Sequence, residues 1–223
     1  METSPVITYP IINKDTGVQS VAPYGLSTLT EQDLNVIENV INDSELRSKF
    51  EDAMLFCDHD STREPMEDNS IRSGKTAFLP INEELVQLFV SIIGDYNNKH
   101  SGWNFDLDFI ESIQLTHYHE GDHYDWHIDS FKNPSKTTDQ NHLNKLYNRK
   151  VSATIWLNDP DEYEGGEFDL ETLGPIAETR FETMKMPKGT IVVFPSYMWH
   201  RVRPVTSGVR KSLVLWIQGP PFK

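Results

Sequence analysis

The sequence predicts a mainly β fold, with two helices near the N-terminus packed on a β-sandwich or barrel. Two segments before residue 105 space their apolar residues as an amphipathic helix does. From about Phe105 onward, apolar and polar residues alternate with a period of two, which is typical of strands. Turn residues such as Gly165-Gly166 and Ser207-Gly208 then recur at short intervals. These observations together favour a β body that follows a short helical region.

The two helices are predicted from apolar spacing and from their N-caps. Within residues 30–56 the apolar positions fall three or four apart, and Thr30 suits the N-cap. A second helix is predicted from about Asn82 to His100, because the same spacing recurs and two acidic residues follow Asn82. The polar segment CDHDSTREPMEDNSIRSGKT between them is predicted to be a loop. The apolar positions are Leu34, Ile37, Val40 and Ile41 in the first helix, and Leu85, Leu88, Phe89, Ile92 and Ile93 in the second.

Seven strands are predicted in the second half of the chain. They are FDLDFIESIQLTHYH, a short piece around Tyr124 to Ile128, VSATIWLN, GEFDL, TIVVFP, WHRVRPV and RKSLVLWIQ. The segment FKNPSKTTDQNHLNKLYNRK separates two of them and carries five Lys or Arg. Residues 131–149 are therefore either a flexible lid beside a site or an ordinary solvated connection.

Length, charge and cysteine content narrow the class of protein. A chain of 223 residues suits one domain, 1–223, with a helical or irregular support in 1–104 and a β core in 105–219. The net charge of −14 argues against nucleic acid and anionic membrane as partners. The single cysteine, Cys57, cannot form an intramolecular disulfide, which suits the cytoplasm. No uninterrupted apolar run approaches 18 residues, so neither a membrane span nor export is expected.

A candidate metal site lies in the histidine-rich segment 117–129. Side chains two apart on a strand point to the same face, so His127 and Asp129 can bind one ion, and His200 can supply a third ligand. Two imidazoles and one carboxylate leave three positions of an octahedral ion open, as in Fe(II) oxygenases. Zn²⁺ accepts the same ligand types, so the motif alone leaves the metal open. The remaining histidines of the segment, His117, His119 and His123, are expected to be solvated flanking residues.

A candidate anion site lies ten residues after His200. Arg210 and Ser212 alternate along the last predicted strand and face away from Lys211. An inward-facing Arg is costly to bury unless it meets a carboxylate, which it can grip through two parallel hydrogen bonds. An ion pair with an acidic residue of the chain is one explanation. Beside the metal triad, a dicarboxylate whose 2-oxo acid end chelates iron and whose other end meets Arg210 and Ser212 is the better one.

Four ordered motifs carry a family resemblance. They are Tyr118-x-x-Gly121-x-x-Tyr124-x-x-His127-x-Asp129, Leu157-Asn158-Asp159-Pro160 leading to Gly165-Gly166-Glu167, His200-x-Val202-x-Pro204-Val205, and Gly208-Val209-Arg210 running into Trp216-Ile217-Gln218. Together they resemble the prolyl 4-hydroxylase superfamily, closest to its bacterial and phage PKHD-type hydroxylase branch. The resemblance covers roughly residues 105–219, about half the chain.

The resemblance implies a double-stranded β-helix, the jelly-roll or cupin-like core, in a dioxygenase that uses Fe(II), 2-oxoglutarate and O₂, with ascorbate helpful in assays. It assigns iron to His127, Asp129 and His200. It assigns 2-oxoglutarate to Tyr118, Arg210 and Ser212. Most of the aromatic residues near the motifs are expected in the core, with Tyr124 or Trp156 expected to line a pocket for a prolyl ring or another compact side chain.

Three functions remain open at this level. The first is hydroxylation of an unactivated C–H bond in a protein or peptide side chain, with proline as the first candidate. The second is the same chemistry on a free amino acid or other small molecule. The third is a non-catalytic metal-binding β-sandwich, against which Arg210 argues because a structural metal needs no cosubstrate anchor. Collagen-type relatives carry Lys at the position of Arg210, so collagen is not implied. Residues 1–100 contain no motif that indicates a substrate, although Ile71-Arg72-Ser73 resembles an upstream arginine segment of such enzymes.

Overall fold

A computed structural model describes residues 21–42, 49–54, 68–80, 82–130, 134–136, 145–173 and 180–222. Two α-helices lie in these ranges, α1 (Glu31–Ile41) and α2 (Glu83–Asp95), and a π-helical segment (Tyr96–His100) continues α2. The strands are β1 (Gly25–Thr28), β2 (Glu51–Asp52), β3 (Lys75–Phe78), β4 (Phe109–Tyr118), β5 (Tyr124–His127), β6 (Ser135–Lys136), β7 (Leu146–Trp156), β8 (Tyr163–Gly165), β9 (Phe168–Glu171), β10 (Phe181–Met184), β11 (Thr190–Pro195), β12 (His200–Val202), β13 (Val205–Gly208) and β14 (Arg210–Gly219).

The described strands form two main sheets. The larger sheet has the order β1-β11-β7-β14-β4-β3-β2, and β6 pairs with β7 beside this path. The smaller sheet has the order β10-β9-β12-β5, and β13 pairs with β8 in a separate ribbon. All these pairings are antiparallel. The arrangement is a double-stranded β-helix, as the family resemblance implies.

Both faces of the larger sheet pack against an apolar core, because successive side chains along its central strands point alternately to one core and to the other. On β14, Leu213, Leu215 and Ile217 face the helices and join a core with Phe89 of α2. Their neighbours Arg210, Ser212, Val214 and Trp216 face the smaller sheet and line a cavity between the sheets. A second core of aromatic and aliphatic residues fills the rest of that space. The period of two therefore separates structural side chains from those available to a site.

The two predicted helices are present, but the first is shorter than the pattern predicts. Thr30 caps α1 with a capping box, in which its hydroxyl accepts from the Asp33 N–H at 3.2 Å and Asp33 accepts from the Thr30 N–H at 2.9 Å. The prediction that the helical pattern extends to residue 56 is wrong, since α1 ends at Ile41 and Glu51–Asp52 is a strand. Asn42 lies at the C-cap, and Asn favours caps over helix interiors.

The N-terminal region contributes strands that the sequence pattern did not predict. Strand β1 pairs with β11, and β3 pairs with β4, so both extend the larger sheet. Lys75 and Thr76, placed in the predicted loop, belong to β3. In the segment 131–149, which was predicted to be a lid or a solvated connection, residues 135–136 and 146–149 are strand. Most of the remaining residues of this segment lie outside the described residues, and so does Cys57. None of the helices described is long and apolar enough to cross a membrane.

Candidate functional site

Two strands of the smaller sheet bring the predicted triad together. His127 ends β5 and His200 begins β12, and the two residues are direct partners in the antiparallel pairing. Their ring centroids lie 4.1 Å apart. Asp129 approaches both imidazoles, with Oδ2 3.4 Å from His200 Nε2 and Oδ1 4.0 Å from His127 Nε2. The three candidate ligand atoms lie within 4.8 Å of one another, a spacing suited to a single metal ion.

Asp129 reaches the site in a different way from the one predicted. Strand β5 ends at His127, so alternation along a continuous strand does not orient Asp129. The backbone N–H groups of Asp129 and Ser130 instead donate to the Ser196 carbonyl at 2.9 and 2.8 Å. The hydroxyl of Ser152 donates to Asp129 Oδ2 at 2.7 Å and lies 2.9 Å from the Ser196 hydroxyl. This network holds the carboxylate in place.

Backbone carbonyls set the tautomer of both histidines. His127 Nδ1 lies 2.7 Å from the Asp125 carbonyl, and His200 Nδ1 lies 2.9 Å from the Met198 carbonyl. A carbonyl only accepts, so Nδ1 must carry the hydrogen in each ring. The lone pair of each Nε2 is then free to bind a metal, the arrangement common among metal-binding histidines.

Burial and mutual proximity shift the pKa of His127 and that of Asp129. Burial lowers the pKa of His127 well below its usual value, and the neighbouring His200 lowers it further, so the ring is neutral. Burial alone would raise the pKa of Asp129, but the positive charge that the adjacent imidazoles of His200 and His127 carry when they are protonated holds it below its usual range, so the carboxylate is ionised. A neutral imidazole and an ionised carboxylate are the protonation states that a metal ion requires.

Arg210 lies on the facing wall of the same cavity, at the start of β14. Its side chain is 0% exposed, and Nη1 donates to the Ser212 hydroxyl at 3.0 Å. Its Nε and Nη2 have no hydrogen-bond partner, and no carboxylate pairs with it among the described residues. Burial lowers the pKa of Arg210, although the guanidinium still remains charged at neutral pH. The intramolecular ion pair that would otherwise explain this residue is therefore absent from the described part of the chain.

The inner cavity between the sheets contains every predicted site residue. It is lined by His127, Asp129 and His200 from one side, and by Tyr118, Arg210 and Ser212 from the larger sheet. Tyr118 is the pairing partner of Arg210 on β4, and its ring centroid lies 5.4 Å from the guanidinium carbon. Burial raises the pKa of Tyr118, so its hydroxyl keeps its hydrogen and can donate.

An outer chamber of about 320 Å³ adjoins the inner cavity at the triad. The two spaces share several lining residues, including Arg72, Tyr124 and His127. Tyr124 stacks on His127 with ring centroids 3.5 Å apart, and burial raises the pKa of its hydroxyl to about 12. As predicted, Tyr124 lines a pocket. Trp156 instead lies in the core between the sheets and lines neither space.

Sequence reasoning assigned no role to three polar residues of the outer chamber, Arg72, Glu111 and Arg149. Arg149 forms a two-point ion pair with Glu111 at 2.7 and 2.5 Å, and its guanidinium lies 4.1 Å from the Trp216 ring centroid. Arg72 is buried, donates to the Met54 carbonyl, and leaves its Nε without a partner. The only signal for Arg72 was its weak motif resemblance. Nothing in the local pattern of Glu111 or Arg149 indicates that they meet.

The other histidines of the segment do not join the triad, as predicted, but the prediction that all three are solvated is wrong, because His117 and His123 are half-buried. His119 is exposed and lies 3.6 Å from Asp122. His117 contacts Phe50, with ring centroids 4.6 Å apart, and His123 contacts Ser73. Among the described residues, His127, Asp129 and His200 form the one group of at least three His, Cys, Asp or Glu side chains close enough to share a metal.

Comparison with known proteins agrees with this geometry. Residues 113–218 match the 2OG-Fe(II) oxygenase superfamily. A PKHD-type hydroxylase of Xylella fastidiosa strain M12 is 37% identical over 106 residues, which is 47% of this chain and 43% of that protein. The chain thus matches less than half the length of such curated relatives. These findings confirm the resemblance to PKHD-type hydroxylases.

Solved structures agree on the fold. A Pseudomonas putida prolyl-4-hydroxylase superposes with a TM-score of 0.61 at 18% identity, over 90% of this chain and 94% of that chain. A Trichoplax adhaerens prolyl hydroxylase, in complex with a peptide fragment of the hypoxia inducible factor oxygen degradation domain, gives 0.60 at 18% identity, over 87% and 83%. At this level of identity the likeness concerns the fold, and it agrees with the double-stranded β-helix.

Proposed function

We propose, from the match of residues 113–218 to the 2OG-Fe(II) oxygenase superfamily, that this chain is an Fe(II)- and 2-oxoglutarate-dependent dioxygenase. One observation supports the proposal most strongly. A fully buried Arg210 without a carboxylate partner among the described residues lines the same cavity as a buried His-Asp-His triad. A buried guanidinium is costly unless it meets an anion, and 2-oxoglutarate supplies a distal carboxylate together with a metal-chelating 2-oxo acid.

The residues of the chain have distinct roles in this proposal. His127, Asp129 and His200 hold Fe(II) through Nε2, a carboxylate oxygen and Nε2, and leave ligand positions open. Arg210 and Ser212 bind the distal carboxylate, and the Tyr118 hydroxyl donates to 2-oxoglutarate. When bound, iron, 2-oxoglutarate and O₂ together supply the oxidation that hydroxylates an unactivated C–H bond and yields succinate and CO₂. The protein positions these groups and keeps water from the anion site.

The alternatives explain fewer of the observations. A zinc hydrolase would use the same triad, but it has no need for a buried unpaired arginine in the same cavity. The same objection applies to a structural metal site in a β-sandwich. Both alternatives would leave the buried charge of Arg210 without an anionic partner, at a cost of several kcal/mol.

For the substrate, we propose a side chain of a protein or peptide, with proline as the first candidate. PKHD-type relatives and the prolyl hydroxylases of the same fold support this class, and one of the latter holds a peptide. The outer chamber, of about 320 Å³, adjoins the triad and falls at the lower end of the usual range for ligand pockets. It is large enough for one side chain.

A second substrate class is supported by Arg72. Its guanidinium is buried in the outer chamber and has no carboxylate partner among the described residues, whereas Arg149 is neutralised by Glu111. A free amino acid would bring a carboxylate to Arg72. The backbone of a peptide would bring only a carbonyl oxygen, which accepts a hydrogen bond but does not neutralise the charge.

Succinate release tests the reaction and the substrate class together. The protein is supplied with Fe(II), 2-oxoglutarate, O₂ and ascorbate, and succinate is measured with proline-containing peptides and with free amino acids. We expect peptides to stimulate succinate release above the uncoupled rate. Stimulation by free amino acids alone would select the small-molecule class. Turnover with Zn²⁺ alone and without 2-oxoglutarate would instead select the hydrolase.

A further inference from the structure

A separate pocket lies on the outer face of the smaller sheet. This outer-face pocket has a volume of about 330 Å³ and is lined by Trp126, Glu171, Arg180, Phe181 and Trp199. None of these residues lines the inner cavity or the outer chamber. Two indoles and one phenyl ring therefore form an aromatic pocket to which the proposed function gives no role.

Alternation along β12 separates this pocket from the metal site. His200 and Val202 line the inner cavity, so Arg201 between them points to the opposite face of the sheet. There its guanidinium carbon lies 4.8 Å from the Trp126 ring centroid and 5.6 Å from that of Phe181. The ring centroids of Trp126 and Phe181 lie 5.3 Å apart. The same sheet therefore holds the two histidines on one face and the aromatic pocket on the other.

The carboxylates beside the pocket are already paired with arginines. Glu171 accepts from Arg180 Nε at 3.0 Å, and Asp169 accepts from Arg201 Nε at 2.7 Å and from Arg203 Nε at 2.8 Å. The arginines are the more exposed partners, with side chains 29–52% exposed against 0% for Asp169 and 16% for Glu171. A ligand on this face therefore meets N–H donors more readily than free acceptors.

The two indoles of the pocket add donors of the same kind. No described residue accepts a hydrogen bond from Nε1 of Trp126 or of Trp199. An indole N–H can only donate. Trp199 is 48% exposed, and aromatic residues with one apolar and one polar end are enriched at interfaces. The face thus combines aromatic surface with N–H donors.

Complementarity in charge and hydrogen bonding selects the occupant of this pocket. Its ion pairs nearly cancel, so a charged ligand gains little, and the net charge of −14 repels an acidic one. A sugar brings hydroxyl donors, for which the face has few free acceptors. A prolyl residue has no backbone N–H, and the polyproline II helix leaves its carbonyls free to accept. Aromatic-lined grooves are the usual binding sites of such segments.

We propose that the outer-face pocket docks a proline-rich peptide segment in the polyproline II conformation. Prolyl rings pack against Trp126, Phe181 and Trp199, and the indole and guanidinium N–H groups donate to the peptide carbonyls. The pocket and the triad lie on opposite faces of the sheet, so docking needs neither metal nor 2-oxoglutarate. The inference therefore does not rest on the proposed function.

Calorimetric titration of decaproline into the protein tests the proposal. The peptide should bind with the same affinity in the presence and in the absence of Fe(II) and 2-oxoglutarate, under anaerobic conditions. A Gly-Ser peptide of equal length, which has backbone N–H groups and no preformed helix, should not bind. Trp199→Ala should weaken decaproline binding by about 10-fold to 100-fold, as expected for a tryptophan at the centre of a binding site.

Two control variants remove exposed rings elsewhere. Tyr197→Ala removes a ring that is 50% exposed, as Trp199 nearly is, and that does not line the outer-face pocket. Phe78→Ala removes an exposed ring from the outer chamber. Both should bind decaproline as wild type does. Loss of binding in Phe78→Ala with wild-type affinity in Trp199→Ala would place the peptide in the outer chamber and overturn the proposal.

A measurement on the wild-type protein keeps the proposal testable if a variant does not fold. In protein labelled with ¹⁵N-tryptophan, the indole N–H resonances of Trp126 and Trp199 should shift when decaproline is added. The resonance of Trp103, which donates to the Ala22 carbonyl in the helix-side core, should not shift. Unshifted Trp126 and Trp199 resonances, or no decaproline binding to wild type, would overturn the proposal.

Two further outcomes would assign the pocket to another occupant and overturn the proposal. A dimer in sedimentation that Trp199→Ala dissociates and decaproline does not would make the face an interface between two copies of this chain. Binding of an oligosaccharide in place of decaproline, lost in Trp199→Ala, would make it a sugar site. In either case the proposed function would be unaffected.

Discussion

At the scale of single residues, the Ser152 hydroxyl is the main side-chain support of the triad. It donates to Asp129 Oδ2, the same oxygen that lies 3.4 Å from His200 Nε2. Groups that orient metal ligands typically contribute 10-fold to 100-fold in metal affinity. Both Ser152 and Asp129 are buried, so solvent cannot replace the lost hydrogen bond.

The first prediction concerns this support. Ser152→Ala should weaken Fe(II) binding by about 10-fold to 100-fold. Ser152→Thr should restore much of the affinity because it keeps the hydroxyl. Metal affinity can be measured by competition with a chromophoric chelator, with Ser207→Ala on an exposed strand as the control. Equal affinity in wild type and Ser152→Ala would show that the carboxylate needs no such support.

The second prediction concerns Asp129 as a ligand. Wild-type protein should bind one Fe(II) per chain, and Asp129→Ala should lose both the iron and the succinate release. Zn²⁺, Co²⁺ and Ni²⁺ should occupy the same ligands and inhibit turnover. Iron content measured by mass spectrometry decides the point, because stoichiometric iron and turnover in Asp129→Ala would remove this residue from the site.

At the scale of secondary-structure elements, alternation made much of the fold predictable. Strand β11, Thr190–Pro195, has the predicted bounds, and β14 differs by one residue at its end. Arg210 and Ser212 face the cavity and Lys211 is exposed, as the period of two requires. The short strands β1, β2, β3, β8 and β10 have two to four residues each, too few to show alternation, and their pairing depends on distant partners.

The same reasoning explains which parts of the site were predictable. The ligand types and the spacing of Arg210 from His200 are local features of the sequence. Arg149 and Glu111 are 38 residues apart on β7 and β4, the two strands that flank β14, and Ser152 and Asp129 are 23 residues apart on β7 and beyond the end of β5, so both contacts depend on the tertiary fold. Such register is set by the whole fold and carries no local signal.

The third prediction uses the pairing of β4 and β14. Burial, together with the neighbouring positive charges of Lys211 and His119, lowers the pKa of His117 to about 4. The unfolded chain therefore binds a proton at this residue before the folded chain does. Stability should fall as pH decreases from about 6.5 to about 4, and this contribution should be constant outside that window.

Chemical unfolding across that pH range measures the effect. His117→Gln cannot titrate, so the difference in unfolding free energy between wild type and variant should change between pH 6.5 and 4 in favour of the variant. His100→Gln removes a histidine from the π-helical segment, outside β4 and β14, and serves as the control. A pH-independent difference would show that His117 has the same pKa in both states.

At the scale of the whole molecule, the larger sheet separates two hydrophobic cores that differ in their relation to the site. Phe89 on α2 lies in the core between helices and sheet. Phe168 lies in the core between the sheets, with its ring centroid 5.7 Å from that of His200 and 6.1 Å from that of Trp156. The first core supports the fold, and the second also shapes the site.

The fourth prediction follows from this division. Phe89→Ala and Phe168→Ala should each lower the free energy of unfolding by about 3–5 kcal/mol. The affinities of the folded protein for metal and for 2-oxoglutarate should change only in Phe168→Ala, because only this substitution enlarges the inner cavity that the three metal ligands line. Denaturation and binding are measured on the same preparations. Equal loss of binding in Phe89→Ala would mean that the two cores are not independent.

The central claim is that Arg210 anchors 2-oxoglutarate, and its removal tests the account most directly. Loss of one partner of a buried ion pair costs about 3–5 kcal/mol, so Arg210→Ala should weaken 2-oxoglutarate binding by roughly 10²–10³-fold. Arg210→Lys should lie between, because an ammonium keeps the charge without the planar fork. Lys211→Ala, which removes the exposed neighbouring cation, should bind as wild type does.

The measurement is an anaerobic titration of 2-oxoglutarate into each Fe(II)-loaded protein, followed by the absorption band of the chelate. We expect Arg210→Ala to bind 2-oxoglutarate with a higher dissociation constant than wild type and with unchanged affinity for iron. Lys211→Ala should give the wild-type dissociation constant. Equal 2-oxoglutarate affinity in wild type and Arg210→Ala, or no band in the wild-type protein, would contradict it.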